Sequence, residues 1–492
     1  MKLWSSFCRT PGGSRSRRNE PRIARIVQFF WGGHSQVDRF LHHQFPDYLV
    51  IVYDMISRRK FLSVTAAALL LPQNPVEMIV RSGRPEDLEM PPAGFNDFIT
   101  PIEHFFVRNH TSVPQVDIAD WRLKIEGHVE MPLALTLDDL RKMPSYELIG
   151  ILECAGNGRA FYDPPVAGLQ WTNGAVGNGR WRGVRLADVL QRAGMKAGAI
   201  EILFDGADVP LGMMADFQRS IPVKKALHPN TLLAYSMNGE TLPVKHGFPL
   251  RAVVPGWAGD SWIKWITSVR VLKEEFSGFW MKNAYVYPKT TAPPGTVVAP
   301  EAMAPVTSLR VKSAIAFPEN GARVESGKRI VIRGAAWSGD SGPVTAVDVS
   351  LDRGRTWKAA RLTGEMTRFG WRLWEYAWTP PDDGYHVVLS RARDAGGDVQ
   401  PMVAEWNPSG YLWNAIARVD LNTTQTRVAP SSPAAPPSVF RESCLTCHGE
   451  DVIRQQRLTR AQWDRELNKM IGWGARVRPE DRETLLEYLT KL

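Results

Sequence analysis

Short apolar runs separated by glycine-rich turns fill residues 106–285. Ile200-Glu-Ile-Leu-Phe and Leu250-Arg-Ala-Val-Val read as strands, whereas Leu135–Lys142 and Leu186–Ala193 carry apolar residues at helical spacing. Strands and helices mixed in this way predict an α+β domain. From 307 to 421 the pattern changes to short strands with turn signals between them: Arg329-Ile-Val-Ile-Arg-Gly, Ala346-Val-Asp-Val-Ser-Leu, Trp371-Arg-Leu-Trp-Glu-Tyr and His386-Val-Val-Leu-Ser. Period-two alternation at this spacing predicts an all-β sandwich. The final stretch, 439–492, reads as a small, mostly helical module. Proline marks the seams: an irregular arm over 73–105, a connector over 286–306 and a Pro/Ala/Ser linker over 427–438. The expected domains are therefore 76–290, 300–425 and 439–492, with no internal repeat.

Composition narrows the classes. Over 492 residues, 44% apolar and 23% charged is ordinary for a globular protein. No uninterrupted apolar run reaches the roughly 20 residues of a spanning helix, and four cysteines do not make a disulfide framework. The net charge of +9 suggests a nucleic-acid partner until it is divided. Residues 1–54 carry +4 and residues 55–72 carry +3, which leaves +2 for the remainder. A nearly balanced body lacks the concentrated basic face that nucleic acid requires, so none is expected.

Met55-Ile-Ser-Arg-Arg-Lys-Phe-Leu, followed by an apolar SVTAAALLLP and a polar break at Pro72, reads as a twin-arginine export signal over 55–75. That predicts a periplasmic protein. A basic turn before a buried helix is the blander alternative. Such a signal belongs at the start of a protein, so Met55 is the expected initiator and 1–54 is read as upstream sequence wrongly joined to it.

The sharpest local motif is Cys444-Leu-Thr-Cys447-His448, a c-type haem attachment site. Two thiols at this spacing add to the haem vinyl groups, and His448 faces the iron. Zinc would need two further ligands, and the module has no other Cys or His. Met470 is the candidate sixth ligand, since Met/His ligation raises the haem potential. Against that, Leu467, Met470 and Ile471 share an apolar stripe with Trp463. About 54 residues bury little core alone, so the haem is expected to act as core and the apo module to fold poorly.

A second constellation lies upstream. Phe106-Val107-Arg108-Asn109-His110, Cys154-Ala-Gly-Asn-Gly-Arg159, Gly174-Ala-Val-Gly-Asn-Gly-Arg180-Trp181, His246-Gly-Phe-Pro-Leu-Arg251 and Ile263-Lys264-Trp265 place one lone cysteine among cations in glycine-rich loops. A thiolate suits a transition metal, while Arg and Lys suit a phosphate-bearing cofactor and an oxyanion substrate. Any one of these residues alone reads as a surface ion-pair partner; their density in one domain favours a site.

At these residues, and over about 90–421, the sequence resembles the sulfite oxidase family of molybdopterin enzymes. The resemblance implies a molybdenum–molybdopterin domain of the sulfite oxidase fold, then an immunoglobulin-like dimerisation domain, here followed by the cytochrome c-like module. It implies Cys154 as the molybdenum ligand, with Arg108, Arg159, Trp171 and Tyr285 at the substrate. Phe106, Val107, Asn109, His110, Asp208, His246, Arg251, Trp262, Ile263 and Lys264 are implied as cofactor contacts. Where sulfite-oxidising members place a third pocket arginine, this chain reads Trp406-Asn-Pro-Ser409-Gly. Ser409 there resembles the bacterial sulfane dehydrogenases, and Arg368 or Arg372 could stand in. The haem b domain of the animal type is absent, and the c-type module takes its place at the opposite end.

The resulting expectation is an exported sulfite dehydrogenase, homodimeric, that passes electrons through its haem to a cytochrome c. Alternatives are a sulfane-sulfur dehydrogenase of thiosulfate oxidation, a molybdopterin sulfoxide reductase, or a scaffold that has lost catalysis.

Overall fold

The computed structural model describes residues 77–424, 438–445, 449–456 and 458–490. The export-signal reading, Cys447 and His448 lie outside them.

The first domain is built on two five-stranded sheets. One runs in the order Glu240–Thr241, Leu232–Met237, Val176–Arg185, Tyr146–Glu153, and Arg251–Val253 also pairs with Leu232–Met237. The other runs Leu133–Leu135, Leu123–Gly127, Ser268–Leu272, Glu201–Asp205, Arg219–Pro222. Its central pair, Leu123–Gly127 with Ser268–Leu272, is parallel. The helices are short. The pattern expected over Leu135–Lys142 resolves into a strand end and a helix at Leu137–Arg141, which starts at a Thr136/Asp139 capping box. That reciprocal cap satisfies N–H groups that helix propensity does not count. Leu123, Ile125, Leu190, Ile202, Phe204 and Leu233 are fully buried in the core of this domain.

The β sandwich joins a four-stranded sheet (Lys312–Phe317, Ile330–Trp337, Arg372–Trp378, Arg361–Thr363) to a five-stranded one (Arg323–Val324, Ala417–Thr423, Gly384–Asp394, Val344–Ser350, Lys358–Ala359). Inward residues such as Ile332, Trp374, Val388 and Leu421 meet between the sheets. All four strands expected here are present, each shifted or extended by a few residues.

The proline-rich seams are more ordered than their composition suggests. The arm forms a hairpin, Ile79–Gly83 with Glu86–Glu89, and the connector pairs Val286–Pro288 with Met303–Pro305. The arm strand Glu-Asp-Leu-Glu hides its strand character because its acids are buried for hydrogen bonding. Glu89 accepts from the backbone N–H of Thr172 and Gly174, and Asp87 from that of Asn109 at 2.8 Å. Met90 and Phe95 of the arm, Ile151 and Val176 of the first domain, and Trp337 and Trp371 of the sandwich form one cluster joining all three segments. Phe95 stacks on Trp337 at 5.9 Å.

After 437 come helices Ser438–Ser443, Glu450–Arg454, Arg460–Gly472 and Arg482–Thr490. Phe440, Leu458, Trp463, Leu467, Leu485 and Leu486 bury together. The longest helix begins at a Thr459/Gln462 capping box.

Candidate active site

A cleft of about 700 Å³ opens in the first domain, lined by Arg108, His110, Cys154, Arg251, Lys264 and Tyr285 among others. Cys154 follows directly on strand Tyr146–Glu153, and its N–H donates to Ala175 O at 2.9 Å. The loop from Cys154 to Arg159 turns sharply: Asn157 N donates back to Cys154 O at 2.9 Å, and Gly158 sits at φ +89°. The strand end and the turn thus place the buried thiol in the wall of the cleft. Burial pushes the Cys154 thiol up from its ordinary value, and the Arg108 guanidinium opposes that push. A metal bound by the thiolate would tip this balance to the ionised form.

Arg108 is placed by the segment before it. Val107 exchanges backbone hydrogen bonds with Leu88 at 2.9 Å in both directions, so the arm hairpin aims the following residues at the cleft. Arg108 pairs with Asp87 at 3.4 Å and bonds Asn109 O. Lys264 Nζ donates to Arg108 O at 3.0 Å and to the Asn109 side chain. Burial among cations drives the Lys264 ammonium well below its ordinary range, with Arg251 the largest neighbouring contributor.

His246 ends a short 3-10 turn whose cap is Gly247 at φ +113°. A Cβ there would sit 3.1–3.2 Å from Arg251 and Lys264. Burial lowers the His246 pKa to about 3 and the Arg251 pKa to about 9. Arg251 donates to His246 O at 2.8 Å and Trp262 O at 3.1 Å, and lies 5.0 Å from the Trp181 ring. Its buried Nε has no partner.

Tyr285, at φ +52°, points its hydroxyl to His110 Nε2 at 2.7 Å. His110 stacks on Phe217 at 4.1 Å. Burial raises Tyr285 and, with Arg108, drives His110 well below its ordinary value. One proton on the phenol is therefore shared with a neutral imidazole.

These features fit a phosphate-bearing pterin and a metal. A single buried thiol stands among buried cations, one with an unused donor, in a cleft where an anion would relieve the cost of burying them. Cys154 could hold the metal. His246, Arg251, Lys264 and Lys245 could hold the pterin and its phosphate.

Two models of known families match the chain in succession. An oxidoreductase molybdopterin binding domain covers residues 110–280, and a Mo-co oxidoreductase dimerisation domain covers 303–424. Human mitochondrial sulfite oxidase is 41% identical over 356 residues, covering 69% of this chain and 65% of that protein. Sulfite oxidase of Arabidopsis thaliana is 33% identical, covering 71% of this chain and 94% of that one. The chain belongs to the sulfite oxidase family. The sulfane dehydrogenase SoxCD from Paracoccus pantotrophus has a similar structure, with a TM-score of 0.60 and 27% identity over 83% of this chain and all of that one. The chain spans 65% of the length of its human relative, a little under two thirds.

Within the family frame, most of the anticipated residues do meet. Phe106, Arg108, Asn109, His110, Cys154, Asp208, His246, Arg251, Trp262, Ile263, Lys264 and Tyr285 line one cleft. Val107, Arg159 and Trp171 do not line it. Val107 is spent on the bridge to Leu88. Trp171 is fully buried in the domain core. Arg159 turns away, donating to Leu169 O at 3.1 Å and Ser409 O at 3.3 Å. Ser409 thus touches Arg159 through its backbone. Neither Arg368 nor Arg372 reaches the cleft: Arg368 donates to the carbonyls of Gly339 and Asp340, and Arg372 belongs to a sandwich strand.

Six lining residues lie outside the anticipated set, Leu152, Phe217, Lys245, Gly259, Asp260 and Trp265, the last of them already within the Ile263-Lys264-Trp265 motif. Asp260 is buried against Arg219, and burial raises its pKa to about 6. Trp265 sits at φ +52°, stacked under Lys264 Nζ at 4.0 Å. Phe217 packs on His110. Asp260 and Trp265 stand in Gly-Asp-Ser-Trp-Ile-Lys-Trp, whose density of aromatic and charged residues was the available signal. Nothing local marks Phe217.

A second cavity lies between the C-terminal helices and residues Ala167–Leu169 of the first domain. Cys444, Leu467, Met470, Trp463 and Trp473 are among its lining. Burial pushes the Cys444 thiol up to about 11.

Proposed function

We propose that this protein oxidises sulfite to sulfate at a molybdenum–molybdopterin centre on Cys154, and that it passes the electrons through a covalent c-type haem in the C-terminal module to a cytochrome c. The observation that carries the first half is the cleft in which Cys154, Arg108 and Tyr285 converge beside His246, Arg251 and Lys264. Bound there, the molybdenum cofactor supplies two-electron oxo-transfer chemistry. Arg108 binds the oxyanion and orients its sulfur towards the metal. Tyr285 remains a phenol and holds a proton near the reacting oxygen, with neutral His110 as its partner at 2.7 Å. Arg159 sits behind the pocket and adds positive potential.

The second half is supported by the apolar cavity lined by Cys444 and Met470. Cys444 and Cys447 would attach the haem, His448 would be its proximal ligand and Met470 its distal one. The proposal includes initiation at Met55, export by the twin-arginine signal over 55–75, a periplasmic location, and a homodimer built on the sandwich domain. Anaerobic mixing of the oxidised, molybdenum-loaded protein with sulfite tests it. Rapid appearance of reduced haem bands is expected. An inert haem that dithionite still reduces would overturn the choice of substrate.

One observation favours a second reading. Of the expected substrate arginines only Arg108 lines the cleft among the described residues, and Ser409 meets Arg159 through its carbonyl. A pocket poorer in cations suits a less charged sulfane sulfur on a carrier, the class named by the Paracoccus relative. That reading predicts slow oxidation of free sulfite and fast oxidation of persulfidated carrier protein.

A further inference from the structure

The C-terminal module rests on the first domain through three glutamines, all of which meet main-chain groups. The Gln455 side chain accepts from Gln170 N at 2.8 Å and donates to Arg81 O. Gln456 Nε2 donates to Gly168 O at 2.9 Å, and Gln462 Nε2 to Pro165 O at 3.0 Å. Main-chain partners hold fixed positions on the first domain, so the three side chains mark one register of the module on it. The same stretch supplies the Ala167–Leu169 wall of the second cavity.

The inner side of that stretch is wrapped around Arg159. A Cβ on Gly168, at φ +124°, would fall 2.8 Å from Arg159 Nη1, and one on Gly410 would fall 3.0 Å from Arg159 Cγ. The guanidinium donates to Leu169 O at 3.1 Å and lies 5.0 Å from the centre of the Tyr411 ring. Tyr411 is stacked on Tyr285, with centroids 5.3 Å apart and planes at 11°. The Tyr411 backbone is pinned: its carbonyl accepts from Tyr162 Oη at 2.7 Å and Asn407 Nδ2 at 2.8 Å, and its N–H donates to Asn407 Oδ1. Direct contacts therefore run from the cleft wall to the second cavity through Tyr285, Tyr411, Arg159 and Leu169.

We infer that residues 165–170 are a fixed docking seat for the C-terminal module, and that Tyr411 with Arg159 is the packed bridge by which electrons cross from the cleft to the haem. This rests on the haem reading above. Each crossing oxidises the reduced metal by one electron and converts one ferric haem to ferrous. Sulfite supplies two electrons, so the bridge is used twice per turnover, and an external one-electron acceptor empties the haem between crossings. Tyr411 and Arg159 are not themselves oxidised; they are positioning residues that keep the intervening medium packed.

The test uses the full-length holoenzyme. In the triple variant Gln455→Ala/Gln456→Ala/Gln462→Ala, amide hydrogen exchange at Gln170, whose N–H donates to the Gln455 side chain, is expected to quicken, a readout independent of either cofactor. Haem reduction by sulfite is expected to fall roughly tenfold or more and to become sensitive to solvent viscosity, while turnover with a small artificial oxidant is unchanged. Tyr411→Leu should slow haem reduction with the seat still protected from exchange. Tyr411→Phe, which keeps the stacked ring, should restore it. Viscosity-dependent haem reduction in the wild type would overturn the fixed seat, as would a triple variant with unaltered exchange. A Tyr411→Leu variant at the wild-type rate would overturn the bridge. Mature protein lacking the c-type absorption bands would instead sink the haem reading, and the exchange arm would still decide the seat.

Discussion

The two cavities are built on opposite physical plans. The cleft around Cys154 is walled by buried cations and aromatic rings, on loops that two sheets and an arm hairpin hold in place. The cavity around Cys444 is walled mainly by apolar side chains from short helices. Burying Arg251, Lys264 and His246 together is costly in the absence of an anion, and their lowered proton affinities express that cost. Among its described lining residues the second cavity has no such cluster of buried cations and is mainly apolar. A non-covalent anionic cofactor suits the first plan, and a covalently tethered apolar macrocycle suits the second.

The sharpest break of this comparison comes from the two cysteines. Cys154→Ser is expected to abolish sulfite oxidation while leaving haem absorbance intact, whereas Cys447→Ala should lose the covalent haem yet keep molybdenum and turnover with an artificial acceptor. Metal analysis beside absorption spectra separates the two. Next in size, Arg108→Gln should lower kcat/KM for sulfite by roughly 10²–10³-fold. A change confined to KM would show that Arg108 binds substrate without favouring the transition state. Tyr285→Phe removes the shared proton but keeps the ring on Tyr411, and should slow turnover by roughly 10²-fold. Steady-state rates across pH check it, and an unaltered profile would remove its assigned role.

The smallest effect concerns stability. The folded-state pKa of His246 is depressed to about 3 from an ordinary 6.5. Its contribution is therefore complete above about 6.5 and is lost as pH falls towards 3. Cofactor-free protein should melt at progressively lower temperature across that window. His246→Asn should flatten part of the slope, as thermal unfolding at several pH values would show. A bound phosphate would favour the charged imidazole and also flatten the slope.

Much of the cleft was legible in the chain because its residues come in short motifs that must be local to work. The thiol needs its glycine-rich turn, and Arg108 needs its neighbours Val107 and Asn109. Apart from Asp260, which stands in a marked motif, what escaped notice came from residues with no local mark. Phe217 touches His110 from a distant loop, and Asp87 and Glu89 anchor the site from an arm that reads as irregular. Arg159 was expected to face the substrate, but its guanidinium donates to Leu169 O and Ser409 O outside the cleft lining, in space that Gly168 and Gly410 leave open. The secondary structure followed the same rule: sandwich strands came through because alternation is local, and the shortened helix at Leu137–Arg141 did not, because its cap set the start.

The sequence by itself determined the family, the order of its two matched domains and the chemical character of the first site. A lone cysteine among cations in glycine-rich loops is a chemical statement before it is a geometric one. The tertiary structure alone decided which of those cations reach the cleft, that Ser409 meets Arg159 through its backbone, and that the C-terminal helices lie against residues 165–170. The physical reason is range. Metal ligation and backbone turns are set by neighbours in the chain, whereas the aim of a long guanidinium and the seat of a tethered module depend on surfaces hundreds of residues apart meeting in one packing.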